Sequence, residues 1–318
     1  MSTNKREFAF YTLTFSATSA KYKFLPAYET HKYIEWILGA HKESSKYVFS
    51  RGKKSYYIQC ALDNKDHIWL LIRYIDGDSR DHTIEDIQTS TKKDISKAAT
   101  EGDAYTSHIY IQKKPVNGKL KMIVEVNSGF SLGMISNIFN GLLKVYLKSH
   151  KIFVTVPDLN GAQKDNKEIT MIKWPVIEAR GTLSDQFEDE IAGASITEIE
   201  LIASSTSSAN LETVGSVYED RTTVKLKVDS KLSIIGVNAI KKIAGLNTKK
   251  YEEIAISYKK DGRKPLRARL ECDVNLSPIN ADRLIKKVVI DSWKSKIKHA
   301  YEEIQNEVLV EVEKFKNE

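Results

Sequence analysis

The stretch Ile254–Cys272, IAISYKKDGRKPLRARLEC, decides how this chain is read. Two strand-like runs, Ile254–Tyr258 and Leu266–Cys272, flank Lys259-Lys260-Asp261-Gly262-Arg263-Lys264. Asp-Gly between such runs supplies the positive backbone angles of a tight turn, so the spacing predicts an antiparallel hairpin. Side chains alternate along a strand. Arg267 and Arg269 therefore share one face, while Leu266, Ala268, Leu270 and Cys272 take the other. The ribbon has an apolar back and a cationic front, and Lys259, Lys260, Arg263 and Lys264 crowd its tip.

Working outward, Thr222–Val228 is a second alternating strand. Val224, Leu226 and Val228 face one way, and Thr223, Lys225 and Lys227 the other. Ile196–Ala203 reads as a strand and Ile234–Ala244 as a short helix stopped by Gly245. Downstream, Ser277-Pro278 carries the signature of a helix start. Leu284, Val288, Ile297, Tyr301, Ile304, Val308, Val312 and Phe315 mark the apolar stripe of one long terminal helix.

The N-terminal half opens with strand-like Phe8–Phe15 and a helix over Tyr28–Gly39, with Gly39 as its stop. Lys46–Ser50 and Tyr56–Leu62 flank a turn at Arg51-Gly52-Lys53-Lys54, and Ile68–Ile75 follows. Ile84–Ala99 reads as a helix. Ser107–Lys113 and Leu120–Val126 form a hairpin turned at Asn117-Gly118. Ser131 caps a helix with a broad apolar face, and Ile152–Val156 returns to strand before Pro157. In the middle section, Thr182–Ala192 reads as a short acidic helix and Ser204–Asn210 as a small-polar loop. The expected class is α+β, with mostly antiparallel sheets, basic hairpins and a long C-terminal helix. Two domains are expected, 1–156 and 157–318, with the last helix able to pack back on the first.

A chain of 318 residues, 41% hydrophobic and 29% charged, has ordinary globular composition with extra charge. Cys60 and Cys272 sit in apolar runs and read as buried reduced thiols of a reducing compartment. The opening MSTNKREFAF has no basic segment followed by an apolar core, and no run reaches the length of a membrane span. A cytoplasmic protein is the expectation. Net charge is +7, but its distribution says more. Asp158–Asp220 holds 4 Lys/Arg against 13 Asp/Glu, a net of −9, and Arg221–His299 holds 20 against 8, a net of +12. The sign switches at one point along the chain.

Catalytic signatures are absent. No phosphate-binding glycine loop, nucleophile elbow or metal-ligand cluster occurs, and His31, His41, His67, His82, His108, His150 and His299 are scattered. Asp158 with Asp165-Asn166-Lys167 matches the spelling of a metal-dependent nuclease, but no apolar run surrounds it to build the required strand. Asp76-Gly77-Asp78 reads as a turn. The expected protein is not an enzyme and holds no cofactor or metal.

The cations carry the functional reading. Arg221, Lys225, Lys227, Lys241, Lys242, Lys249, Lys250, Lys259, Lys260, Arg263, Lys264, Arg267 and Arg269 are the candidate contacts. Arginine makes forked contacts to phosphate, and the charge is spread over several elements, which suits phosphates more than base edges. The expectation is sequence-independent binding of double-stranded DNA. Arg51, Lys53, Lys54, Lys113, Lys114, Lys119 and Lys121, at the earlier hairpins, read instead as solvated charge that discourages edge pairing. The other readings are a nucleic-acid-processing nuclease and an adaptor that docks a protein through its terminal helix.

Two stretches resemble the RexA-like phage-exclusion proteins, the cytoplasmic component of the lambda exclusion system. One is Thr83-Ile84-Glu85-Asp86-Ile87, followed by a polar helix, a hairpin and Ser131 to Lys144. The other is Arg221-Thr222-Thr223-Val224-Lys225, followed by the helix Ile234–Ala244 and a basic segment. The acidic middle departs from the pattern. The resemblance implies a two-domain homodimer that binds double-stranded DNA without sequence preference. It also implies a role in phage exclusion and a membrane-channel partner.

Overall fold

A computed structural model describes residues 5–22, 25–79, 81–85, 88–116, 118–127, 130, 132–152, 154–157, 163–164, 167–168, 170–182, 184, 187, 191, 194–204, 208–211, 215–218, 221–226, 240, 242–244, 251, 253–259, 266–271, 285–291, 293 and 297–317. The chain divides into two compact units. Met1–Phe8, Thr12–Ala179 and Val288–Glu318 form one, and Ala9–Tyr11 with Arg180–Lys287 the other. The sequence boundary at 156/157 thus lies inside the first unit. The strand ending at Pro157 pairs with Thr170–Lys173 and stays with it.

The first unit is built on strands β1 (Arg6–Thr18), β2 (Lys46–Phe49), β3 (Lys54–Asp63), β4 (His67–Asp76), β5 (His82–Glu85), β6 (Lys92–Ile95), β7 (Asp103–Gln112), β8 (Leu120–Glu125), β9 (Val154–Pro157), β10 (Gln163–Lys164), β11 (Lys167–Glu168) and β12 (Thr170–Gly181). Helices α1 (Thr30–Lys42) and α2 (Leu132–Ser149) accompany them. Its large sheet runs β2-β3-β4-β7-β8-β1-β12-β9. The ladders β2–β3, β3–β4, β4–β7, β7–β8 and β9–β12 are antiparallel, and β2–β3 and β7–β8 are the two pairings the turn signals predict.

Ile68 to Ile72 of β4 are all buried, so both faces of the sheet are covered there. Helices α1 and α2 pack on one face. Glycine is required where they touch: a Cβ on Gly39 would strike the Tyr146 ring, and one on Gly141 the Tyr47 ring. Gly39 therefore sits inside α1 as a contact point and does not end it. On this face Tyr47, Tyr56, Tyr74 and Tyr105 are successive register partners across four strands. Tyr56 and Tyr74 stack at 4.7 Å, and Phe49 lies parallel to Tyr56 at 5.2 Å. Burial pushes the Tyr56 and Tyr74 hydroxyls well above the ordinary range.

The opposite face takes the C-terminal segment. Here the expected long helix gives way to a strand and a short helix. Lys287–Ile290 is a strand that pairs with β1, and among the described residues of this segment helix occupies only Asn306–Phe315. The reason is Arg6. Its guanidinium lies 4.1 Å from the Trp293 ring and 4.7 Å from the Tyr301 ring. In a continuous helix those two residues would sit about 12 Å apart along the axis. Arg6 also pairs with Glu125 at 2.8 Å, and Glu125 holds His108 Nδ1 at 2.6 Å. His108 Nε2 in turn accepts the Gln305 backbone N–H at 3.1 Å, and Arg73 donates to the Tyr301 carbonyl at 2.8 Å.

Ile84–Ala99 is a second departure. It forms the β5–β6 ladder, with Thr83 donating to Asp94 at 2.6 Å, instead of a helix. The Gln88-Thr89-Ser90-Thr91 run explains this. Serine and threonine compete with the helical backbone, and Ser90 takes a positive φ of 53°. At the tip of β4, Asp76-Gly77-Asp78 is a turn, closed by Asp78 N–H on Asp76 Oδ1 at 3.0 Å. Burial pushes the Asp76 carboxyl up, but the Tyr74 hydroxyl and Lys54 ammonium outweigh it and hold it below the ordinary 3.8. A lowered folded value adds stability above pH 3.8, and that stability is lost as pH falls through the folded value. Asp76→Asn is expected to lower the melting temperature more at pH 6 than at a pH below 3.8. Equal offsets at both pH values would remove Asp76 from acid sensitivity.

The second unit carries β13 (Ser195–Ser204), β14 (Ser208–Leu211), β15 (Gly215–Tyr218), β16 (Arg221–Leu226), β17 (Glu253–Lys259) and β18 (Leu266–Glu271). The strand Lys287–Ile290 is β19, and the helix Asn306–Phe315 is α3. β14 pairs with β15, so Ser208–Asn210, expected as the end of a small-polar loop, is strand instead. A four-stranded sheet runs β16-β13-β17-β18, and each described ladder in it is antiparallel. Ile199, Leu201, Ile254, Ile256, Tyr258, Ala268 and Leu270 form its buried face, packed with Phe187, Ile191, Ile240 and Ala244. Among the described residues no helix is long and apolar enough to cross a membrane.

Candidate nucleic-acid interface

The polar face of this sheet brings together Lys225, Arg267 and Arg269. Ala268 and Leu270 are fully buried, so Arg267 and Arg269 stand on the other side, as alternation predicts. Lys225 joins them because Val224 and Leu226 turn toward the core. Lys225, Glu200, Ala255 and Arg269 are aligned across the sheet as register partners. Glu198, Ser257 and Arg267 make the adjoining line. Lys259 ends β17 and is exposed.

These cations are not free. Lys225 Nζ lies 3.0 Å from Glu198 and 3.1 Å from Glu200. Arg267 reaches across β17 to the same Glu200, over the small side chains of Ala255 and Ser257. Arg269 closes on Glu253 through Nε and Nη2. Glu200 is only 9% exposed, whereas Lys225 and Arg267 are 64% and 53% exposed. A nearly buried carboxylate thus anchors two outward-standing cations. Hydrogen bonds that the Lys225 ammonium donates to Glu198 and Glu200 hold it above its ordinary range.

The sign change at Asp220 and Arg221 is therefore not preserved in space. Acidic β13 lies between β16 and β17, so the two segments interleave in one sheet. The unit Arg180–Lys287 holds 18 Lys/Arg and 16 Asp/Glu, a net of only +2. The partners Glu198, Glu200 and Glu253 escaped the sequence reading, although Glu198, Ile199, Glu200 and Leu201 alternate polar and apolar as a strand does. What was missing was the neighbour each strand would take.

Arg221 opens β16 opposite Ser204, and Lys242 is exposed on a helical turn between Ile240 and Ala244. Lys227, Lys241, Lys249, Lys250, Lys260, Arg263 and Lys264 lie outside the described residues, as do Cys272, Asp158, Asp165 and Asn166. At the earlier hairpins Lys53, Lys54 and Lys113 pair with Asp78, Asp76 and Asp63. Cys60 is half-buried and donates to the Glu302 carbonyl at 3.0 Å. Among the described residues no group of His, Cys, Asp or Glu is placed to hold a metal ion. Comparison with family models, curated proteins and solved structures finds no match.

Proposed function

We propose that this protein binds duplex DNA through its phosphates, without sequence preference and without catalysis, using the polar face around the β17–β18 hairpin. The convergence of exposed Lys225 and Arg267 on the nearly buried Glu200 carries the reading. The carboxylate fixes their charged ends, Lys225 Nζ and Arg267 Nη2, while much of each side chain stays exposed and open to a phosphate. The role in phage exclusion, the homodimer and the membrane-channel partner belong to the same proposal through the family resemblance.

The ion pairs narrow it. Lys225, Arg267 and Arg269 as the phosphate contacts give a salt slope of about −2.7 in log–log form, at about −0.9 per contact. Affinity then falls about fortyfold between 50 and 200 mM salt; roughly eight contacts would give about 20,000-fold. Mobility shifts on two unrelated duplexes at both salt concentrations measure this. Equal affinity for both, with the shallow slope, is the expected result. No binding at 50 mM salt, or strong preference for one duplex, overturns the reading.

A further inference from the structure

A different part of the molecule carries a second cationic feature, in the first unit, and it differs in kind. Lys173 on β12, next to the edge strand β9, is half-buried, with its ammonium 4.2 Å from the centre of the Tyr28 ring. Tyr28 is fixed there because its hydroxyl donates to the Lys173 carbonyl at 2.6 Å. The Trp36 ring meets Tyr28 edge-on at 5.1 Å and Tyr33 at 5.7 Å. Tyr33 is fully buried, and its hydroxyl donates to the Ser16 carbonyl at 2.5 Å. Trp36 and Tyr28 are thus rigid yet only half-buried.

The charge is unbalanced. Neither Lys173 nor Lys32 has an ion-pair partner among the described residues, and the nearby Glu29 carboxylate lies 3.4 Å from His31. Burial pulls the Lys173 ammonium below its ordinary range, and the charge of Lys32 pulls it further. A half-buried ammonium that also feels a second positive charge favours an anion at its exposed side. The contrast is with Lys225, Arg267 and Arg269, whose charges are met by carboxylates.

We propose that Lys32, Lys173, Tyr28 and Trp36 form a binding site for a nucleotide unit of single-stranded DNA, separate from the duplex-binding face. The ammonium groups take the phosphate, and a base lies against the exposed part of the Trp36–Tyr28 pair. Preset aromatic planes beside backbone-tracking cations are the chemistry by which single strands are held, and any base has a face to offer. The inference does not rest on the duplex reading, because its residues lie on other strands.

The test is fluorescence anisotropy of a labelled eight-nucleotide oligothymidylate with the full chain at 50 mM salt. Lys32→Ala/Lys173→Ala is expected to weaken binding at least about tenfold and to flatten the salt slope by about 1.4, the share of two contacts on a single strand. Trp36→Leu should weaken it at least about fivefold. Lys32→Arg/Lys173→Arg should retain binding, and Lys225→Ala/Arg267→Ala should weaken it far less than the lysine-to-alanine pair does. Lys32→Glu, on an exposed helix position, gives the same loss without disturbing the half-buried lysine. Unchanged affinity in both lysine variants overturns the proposal. So does loss confined to Lys225→Ala/Arg267→Ala. A third overturning result is binding of anionic phosphatidylglycerol vesicles, lost in the lysine variants, with no binding of the oligonucleotide.

Discussion

Glu125→Ala is expected to destabilise the protein by about 3–5 kcal/mol, the range for breaking a buried ion pair from one side. The Arg6 and Glu125 side chains are 2% and 7% exposed, and their groups lie 2.8 Å apart. Glu125 also holds His108, which is fully buried. Removing the carboxylate leaves a guanidinium among Trp293 and Tyr301 with no countercharge. Arg6 Nε makes no hydrogen bond among the described residues, and the Tyr301 hydroxyl that accepts from Nη2 carries no charge to replace the carboxylate. The loss is a large part of the roughly 5–15 kcal/mol that ordinarily holds a domain folded. Glu302→Ala is the control. Glu302 pairs with Arg73 at 2.6 Å but is 75% exposed, so its loss should cost less than about 1 kcal/mol. Urea unfolding followed by tryptophan fluorescence separates the two. A double variant, Arg6→Met/Glu125→Leu, should recover much of the loss, since an apolar pair avoids the stranded charge. Equal, small effects for Glu125→Ala and Glu302→Ala would show that the network does not hold the C-terminal segment in place.

The second large effect concerns Glu200, where two views of the β17–β18 face predict opposite signs. If Lys225 and Arg267 meet phosphate, Glu200 competes with DNA for them. Glu200→Gln keeps the shape, removes the competing charge, and should tighten duplex binding severalfold while steepening the salt slope. Arg267→Ala/Arg269→Ala should weaken binding and flatten the slope by about 1.8, two contacts' worth. If instead the ion pairs serve only the sheet, Glu200→Gln lowers the melting temperature and leaves DNA affinity where it was. Salt titrations at matched folded fraction decide between them. Unchanged affinity in both variants would remove this face from the mechanism.

Local pattern was legible wherever one strand face meets a core. The 2-residue alternation in Leu266–Cys272 and Thr222–Val228 placed Arg267, Arg269 and Lys225 outward before any neighbour was known. The Asn117-Gly118 turn was readable because that conformation favours glycine; Gly118 adopts a φ of 74°. Apolar spacing failed over Leu284–Phe315. A helical stripe and a segment pinned at intervals to one sheet face can bury similar residues, and only Arg6, far away in sequence, selects the second. The threonines in Ile84–Ala99 favour strand over helix, a preference its apolar spacing does not reveal.

The sequence by itself determined an antiparallel α+β chain, the outward sense of its hairpin cations, and a charge that reverses at Asp220. Tertiary structure decided what those charges face. Strand order sets electrostatic neighbours, and order depends on pairings between residues far apart in the chain, which no local period encodes. By inserting β13 between β16 and β17, the fold sets Glu198 and Glu200 beside Lys225, with Glu200 also in reach of Arg267, and turns a cationic ribbon into a matched one.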